Sequence, residues 1–195
     1  LGDDGTESRI PSRCPQMPGL QLLVRDRGLL VEDYPQHLIA AVAVLGAITN
    51  GLRMLGWGGG QTLKRPILWV LHTAYGFLPA GLALSAAQNL GAPIPFWVPP
   101  HVLAIGALSL MTLGMMTRVS LGHTGRSIVA NKATALAYGL LIGAVIARSA
   151  GPFLGNPGWQ FALLVAVALW GLAFMLFIAN YAAILVLPRA DGKSG

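Results

Sequence analysis

Beyond residue 35 the chain alternates between long apolar runs and short connections rich in glycine, proline and charge. Five runs stand out, at about residues 37–55, 67–88, 100–117, 131–150 and 159–187. Each holds the roughly 20 apolar residues that a helix needs to cross a hydrocarbon core. No water is available there to satisfy backbone N–H and C=O groups, so spanning segments of this composition fold as helices. The pattern predicts an all-α protein, a polytopic helical membrane bundle of about five transmembrane helices within residues 36–188. Residues 1–35 form a polar N-terminal tail, expected to be disordered or aberrant, and residues 189–195 a short cytoplasmic tail. Trp57, Trp69, Trp97 and Trp159 lie near run ends, where an interfacial aromatic belt places them.

Composition strengthens this reading. Hydrophobic residues make up 54% of the 195 and charged residues only 10%, with mean hydropathy +0.63, against about 25% charged in soluble domains. The isoelectric point near 10.1 raises the question of nucleic acid. The basic residues sit at run ends, however, and form no stripe with interleaved aromatics, so no nucleic-acid partner is expected. Cys14 is the single cysteine, which excludes an intrachain disulfide and a cysteine metal cluster.

Charge also sets orientation. Arg53, Lys64, Arg65, Arg118, Arg126, Lys132, Arg189 and Lys193 follow runs one, three and five, whereas the short opposite loops carry only Arg148. The positive-inside rule then places the C-terminus in the cytoplasm. Run four carries Ala135, Gly139, Gly143 and Ala147 at four-residue spacing. Such a ridge lets helix backbones approach closely, within the chain or in an oligomer joined through Gly139 and Gly143.

Histidines are the main candidates for chemistry. An ionisable group inside a span is costly without a partner, and His72 lies inside run two. Tyr75 and Gly76 share its helix face, and Pro79 is expected to kink the helix one turn on. Small residues, a kink and an imidazole describe a haem or metal pocket, or a histidine hydrogen-bonded to a neighbouring helix. His123 closes the run MTLGMMTRVSLGHTGR (111–126), between Gly122 and Gly125 and flanked by Arg118 and Arg126. Those arginines suit haem propionates and equally suit lipid phosphates. His101 opens run three after Pro99–Pro100. It lies 22 positions from His123, about 33 Å along a helix, so the two cannot share one metal. His72 with His123, and His37 with His101, remain as pairs by side. Met111, Met115 and Met116 offer soft thioethers, although packing is their ordinary role. No acidic residue occurs in any run, and no nucleotide-binding or hydrolase motif appears.

The segments LKRPILWVLHTAYGFLPAGLAL (63–84), PHVLAIGALSLMTLGMMTRVSLGHTGR (100–126) and FIANYAAILVLPRADG (177–192) resemble the NnrS family of bacterial inner-membrane proteins. The resemblance implies haem and copper as cofactors and a part in the response to nitric oxide and in denitrification. It marks His72, His101 and His123 as metal-ligand candidates and Arg118 and Arg126 as further cofactor-binding positions; Tyr75, on the helix face of His72, is a cofactor-binding candidate by its spacing. Family members are longer, so the resemblance also implies that this chain corresponds to a C-terminal portion. The leading expectation is a haem/copper membrane protein that responds to nitrosative stress, with nitric oxide as a ligand; no catalytic residue and no reaction is assigned. The alternatives are a transporter or channel half with histidines along a polar path, and a structural membrane subunit without chemistry.

Overall fold

The computed structural model describes residues 35–57, 62 and 65–192. The tail expected over residues 1–35 lies outside the described residues, apart from Pro35. Among the described residues there are helices and turns but no strands, and five helices are long and apolar enough to cross a membrane. We number them α1 (Gln36–Leu55), α2 (Pro66–Asn89), α3 (Val98–His123), α4 (Lys132–Ala150) and α5 (Gly158–Val186).

Local chemistry accounts for the helix ends. Pro66 opens α2, where a missing N–H costs nothing because first-turn donors have no intrahelical acceptor. Asn131 caps α4: its Oδ1 accepts from the Thr134 backbone N–H at 2.8 Å and from the Thr134 hydroxyl at 2.9 Å. The turn after α2 contains Gly91 at φ 92°, a left-handed conformation that favours glycine. The helix of α2 continues through Pro79. At 29 residues, α5 is about 43 Å long and exceeds the roughly 30 Å hydrocarbon thickness.

The core joins α2 to α5. Val70 and Ala74 meet Leu110 and Leu113 of α3, Tyr138 and Leu141 of α4, and Ala173 and Phe177 of α5. Trp69 belongs to this packing, edge-on to Tyr138 at 6.0 Å. The Thr134 hydroxyl also meets the buried Tyr181 hydroxyl at 3.0 Å, tying the start of α4 to α5. Helix α1 packs against α2 through Ala40 and Ala43, while Val42, Leu45 and Leu52 are each more than 60% exposed. Large apolar side chains on the outside are what a lipid solvent demands, since association between spans rests on close packing rather than on hydrophobic burial.

Two features of α3 depart from the hydropathy reading. The helix continues past Thr117 to His123, so Arg118 and His123 are helical residues. Hydropathy registers the thickness of the bilayer, and nothing in Arg118–Gly122 stops a helix that has left it. Of the two glycines around His123, Gly122 is within the helix and only Gly125 is left-handed, at φ 69°. Within the same helix, Val102–Ser109 forms a π-helical segment. It lies where α2 and α3 approach most tightly. A Cβ on Gly106 would sit 2.5 Å from Phe77 Cγ, and one on Gly81 would sit 2.6 Å from Leu103 Cδ2. The Ser109 hydroxyl donates five residues back to the Ala104 carbonyl, matching the wider turn.

The ridge on α4 is divided. A Cβ on Gly143 would lie 3.2 Å from Leu169 of α5, whereas Gly139 faces open space.

Candidate functional site

The bundle has two chemically unlike ends. The end formed by the C-termini of α1, α3 and α5 and the N-termini of α2 and α4 carries Arg53, Arg65, Arg118, Arg126, Lys132 and Arg189; among the described residues, the opposite end carries Arg148 alone. His72 and His123 belong to the cationic end, and His37 and His101 to the other.

His72 sits two turns into α2, on the side that faces α1. Its Nδ1 lies 3.2 Å from the Leu68 carbonyl of the preceding turn, the geometry of an Nδ1–H donating to that oxygen. Its Nε2 is buried and has no hydrogen-bond partner. Trp57, just past the end of α1, meets the imidazole edge-on at 5.6 Å and lies 4.5 Å from the Tyr75 ring. The Tyr75 hydroxyl donates to Asn50 Oδ1 of α1 at 2.7 Å. The Arg53 guanidinium lies over the Trp57 ring, 5.9 Å from its centre. Beside the imidazole is an open groove of about 460 Å³ lined by Met54, Leu55, His72, Thr73 and Gly76. A Cβ on Gly76 would stand 3.6 Å from Met54 Sδ, so the thioether rests against the bare backbone of α2.

Asn50, Met54 and Trp57 are functional neighbours that inspection of α2 alone misses. Their spacing of four and three residues puts them on one face of α1 and the turn beyond it. That periodicity is visible in the sequence, but it does not say which helix the face meets.

His123 has the opposite surroundings. It is exposed in the last turn of α3 and lines a shallow groove of about 320 Å³ with Met115, Arg118, Val119 and Arg189. Met115 and His123 are eight residues apart, about 12 Å along the helix, so they cannot ligate one ion together. Arg189 forms the ion pair of this region, to Asp191 at 2.7 Å, and that hydrogen-bonded carboxylate raises its pKa further. The segment after α5 folds back on the turn after α3. The Ala190 N–H donates to the Thr124 carbonyl at 3.0 Å, and Asp191 lies where a Cβ on Gly125 would be, 2.6 Å from its Cγ. Arg126 is half-buried and reaches the Thr124 carbonyl at 3.4 Å.

The structure thus separates the sequence candidates. His72 lines the α1–α2 groove, and Tyr75 joins it through their shared contact with Trp57. Arg118 and His123 share a groove on α3 that His72 does not line, and Arg126 belongs to the adjoining turn. At the far end, His101 Nδ1 lies 2.6 Å from the Trp97 carbonyl, and His37 is exposed at the start of α1. Nearby, Trp97 meets Trp159, whose ring carries the Arg148 guanidinium at 4.7 Å. Among the described residues, no three His, Cys, Asp or Glu side chains form a cluster able to hold a metal ion.

A helical membrane bundle with an unpartnered imidazole nitrogen beside one groove defines a polytopic membrane protein with a candidate ligand-binding histidine. The chain belongs to the NnrS family, whose model, described as NnrS protein, matches residues 20–189. No curated protein and no solved structure matches it.

Proposed function

We propose that this chain is a haem- and copper-associated protein of the bacterial inner membrane that takes part in the response to nitric oxide, with His72 as its principal metal ligand. The observation that carries the reading is the His72 ring. A buried Nε2 without a partner is an uncompensated polar atom, which folded proteins tend to avoid unless something binds there. The Leu68 carbonyl orients the ring by accepting from Nδ1, the outer contact that metal-binding histidines characteristically make. Family membership supports haem and copper as the cofactor class.

The groove residues fit these groups. His72 would hold haem iron through Nε2, and Gly76 leaves the neighbouring wall free of side-chain bulk. The His72 imidazole and the Met54 thioether are donors suited to Cu(I). When bound, haem supplies a redox-active iron able to take nitric oxide as a ligand. The chain's own residues prepare that place. Trp57 packs against the imidazole, and Asn50 engages the Tyr75 hydroxyl. The basic residues at this end favour a cytoplasmic orientation for it.

The test is the absorption spectrum of detergent-purified, haem-supplemented protein, oxidised and dithionite-reduced, with and without nitric oxide. A Soret band that shifts with nitric oxide, disappears in His72→Ala and persists in His123→Ala is expected. A band indifferent to His72→Ala would remove the assignment, and no band in folded protein would remove the haem reading. In cells, deletion of the gene should increase growth inhibition by nitric oxide donors.

A further inference from the structure

A second groove at the cationic end lies between the start of α2 and the end of α3. It measures about 520 Å³ and is walled by Arg65, Ile67, Leu68, Arg118, Ile128 and Val129. We propose that it binds the phosphate of an anionic phospholipid, with Arg65 and Arg118 as the two cationic contacts.

Charge is the first argument. Arg65 precedes α2 and Arg118 is on α3, so folding brings two arginines from distant sequence positions to the wall of one groove. Both are exposed, and the ion pair formed among the described residues is Arg189–Asp191, which leaves these two without a carboxylate. Like charges gathered without a counterion repel each other. A phosphodiester offsets the repulsion, and guanidinium matches its oxygens with parallel N–H donors.

The walls are the second argument. Ile128 is 48% and Val129 70% exposed, and both belong to the non-helical turn before α4. A small soluble phosphate would bind the arginines and leave these side chains in water. A lipid covers them with its glycerol and upper acyl carbons while its phosphate meets the cations.

Continuity is the third. Arg118 and Ile128 also line the adjoining groove, which continues along α3 past Val119 and Met115. Those two are 47% and 45% exposed and lie on the way back toward the bilayer. The path therefore begins at two cations and proceeds over apolar surface, which is the order of groups along a phospholipid. Juxtamembrane basic residues contribute to anionic-lipid binding in just this setting. The site is separate from the His72 groove, so the inference stands whether or not His72 binds a metal.

The test is native mass spectrometry of the full chain released from detergent with added phosphatidylglycerol or phosphatidylcholine, alongside R65Q/R118Q, R65K/R118K and R53Q. The native chain should retain one phosphatidylglycerol in preference to phosphatidylcholine. R65Q/R118Q should weaken that retention roughly thirtyfold, the loss expected for two surface arginine contacts. R65K/R118K should weaken it less, and R53Q, at the same end but outside the groove, should not change it. Equal retention of both lipids, or equal loss in R53Q, overturns the proposal. Displacement of the lipid by millimolar inorganic phosphate would reassign the groove to a free anion. Unchanged lipid retention with loss of the haem band in R65Q/R118Q would reassign it to propionates. Matching circular dichroism melts across the variants exclude misfolding as the cause.

Discussion

His72 and His123 lie at the same end of one bundle, yet the fold turns them into different chemical objects. His72 is partly covered: Trp57 packs against its ring, Nδ1 is engaged by the Leu68 carbonyl, and Nε2 is buried without a partner. His123 is exposed at a helix C-terminus with Arg118 and Arg189 beside its groove. A desolvated lone pair favours a metal, which gives more than water was allowed to give. An exposed imidazole among guanidinium groups belongs to a surface that attracts anions. The difference arises from neighbours supplied by other helices, not from the histidines themselves or their sequence flanks.

The comparison is broken most directly by exchanging the roles of the two rings. His72→Ala should abolish the Soret band while His123→Ala leaves it; equal effects would erase the distinction. The cationic groove gives the reciprocal experiment. Arg118→Gln should weaken retention of phosphatidylglycerol yet leave the haem spectrum unchanged, so a spectral change would join the two grooves into one site.

Packing controls sharpen the comparison by separating site effects from general loosening. Gly106→Ala should destabilise the bundle by about 1–3 kcal/mol, because its new methyl group meets Phe77 at the α2–α3 crossing. Gly139→Ala meets nothing and should be neutral or stabilising by less than about 1 kcal/mol, the ordinary gain of alanine over glycine in a helix. Thermal unfolding in detergent measures both, and a destabilised Gly139→Ala would instead implicate that face in an oligomer. Asn131→Ala should cost about 1 kcal/mol through loss of the α4 cap. Tyr75→Phe should have an effect of similar size. It removes a hydrogen bond to Asn50 worth about 1 kcal/mol, and on the proposed reading it should leave the haem band in place; loss of the band would make Tyr75 a cofactor contact.

Much of the architecture was legible in the chain. Five runs of bilayer length required helices, because lipid offers the backbone no other partner. The one-sided distribution of arginine and lysine distinguished the two ends, and a histidine within run two stood out because burying an ionisable group demands a reason. The extension of α3 to His123 was not legible, since hydropathy falls at the membrane edge whether or not the helix stops. Nor was the π-helical segment, which accompanies the tight approach of Gly106 to Phe77 and is absent from any one-dimensional pattern.

The candidate sites divide along the same line. The sequence by itself determined that helices form, how many are long enough to span, which end is cationic and that one imidazole lies well inside a run. Those properties follow from transfer of individual groups between water and lipid, and each residue carries its own share. Only the tertiary structure decided that Trp57 meets His72, that Met54 lines its groove and Asn50 holds Tyr75, that His72 and His123 open on separate grooves, and that Arg65 and Arg118 share one. Those juxtapositions depend on the rotation and register of one helix against another, which are fixed by close contacts between residues far apart in the chain.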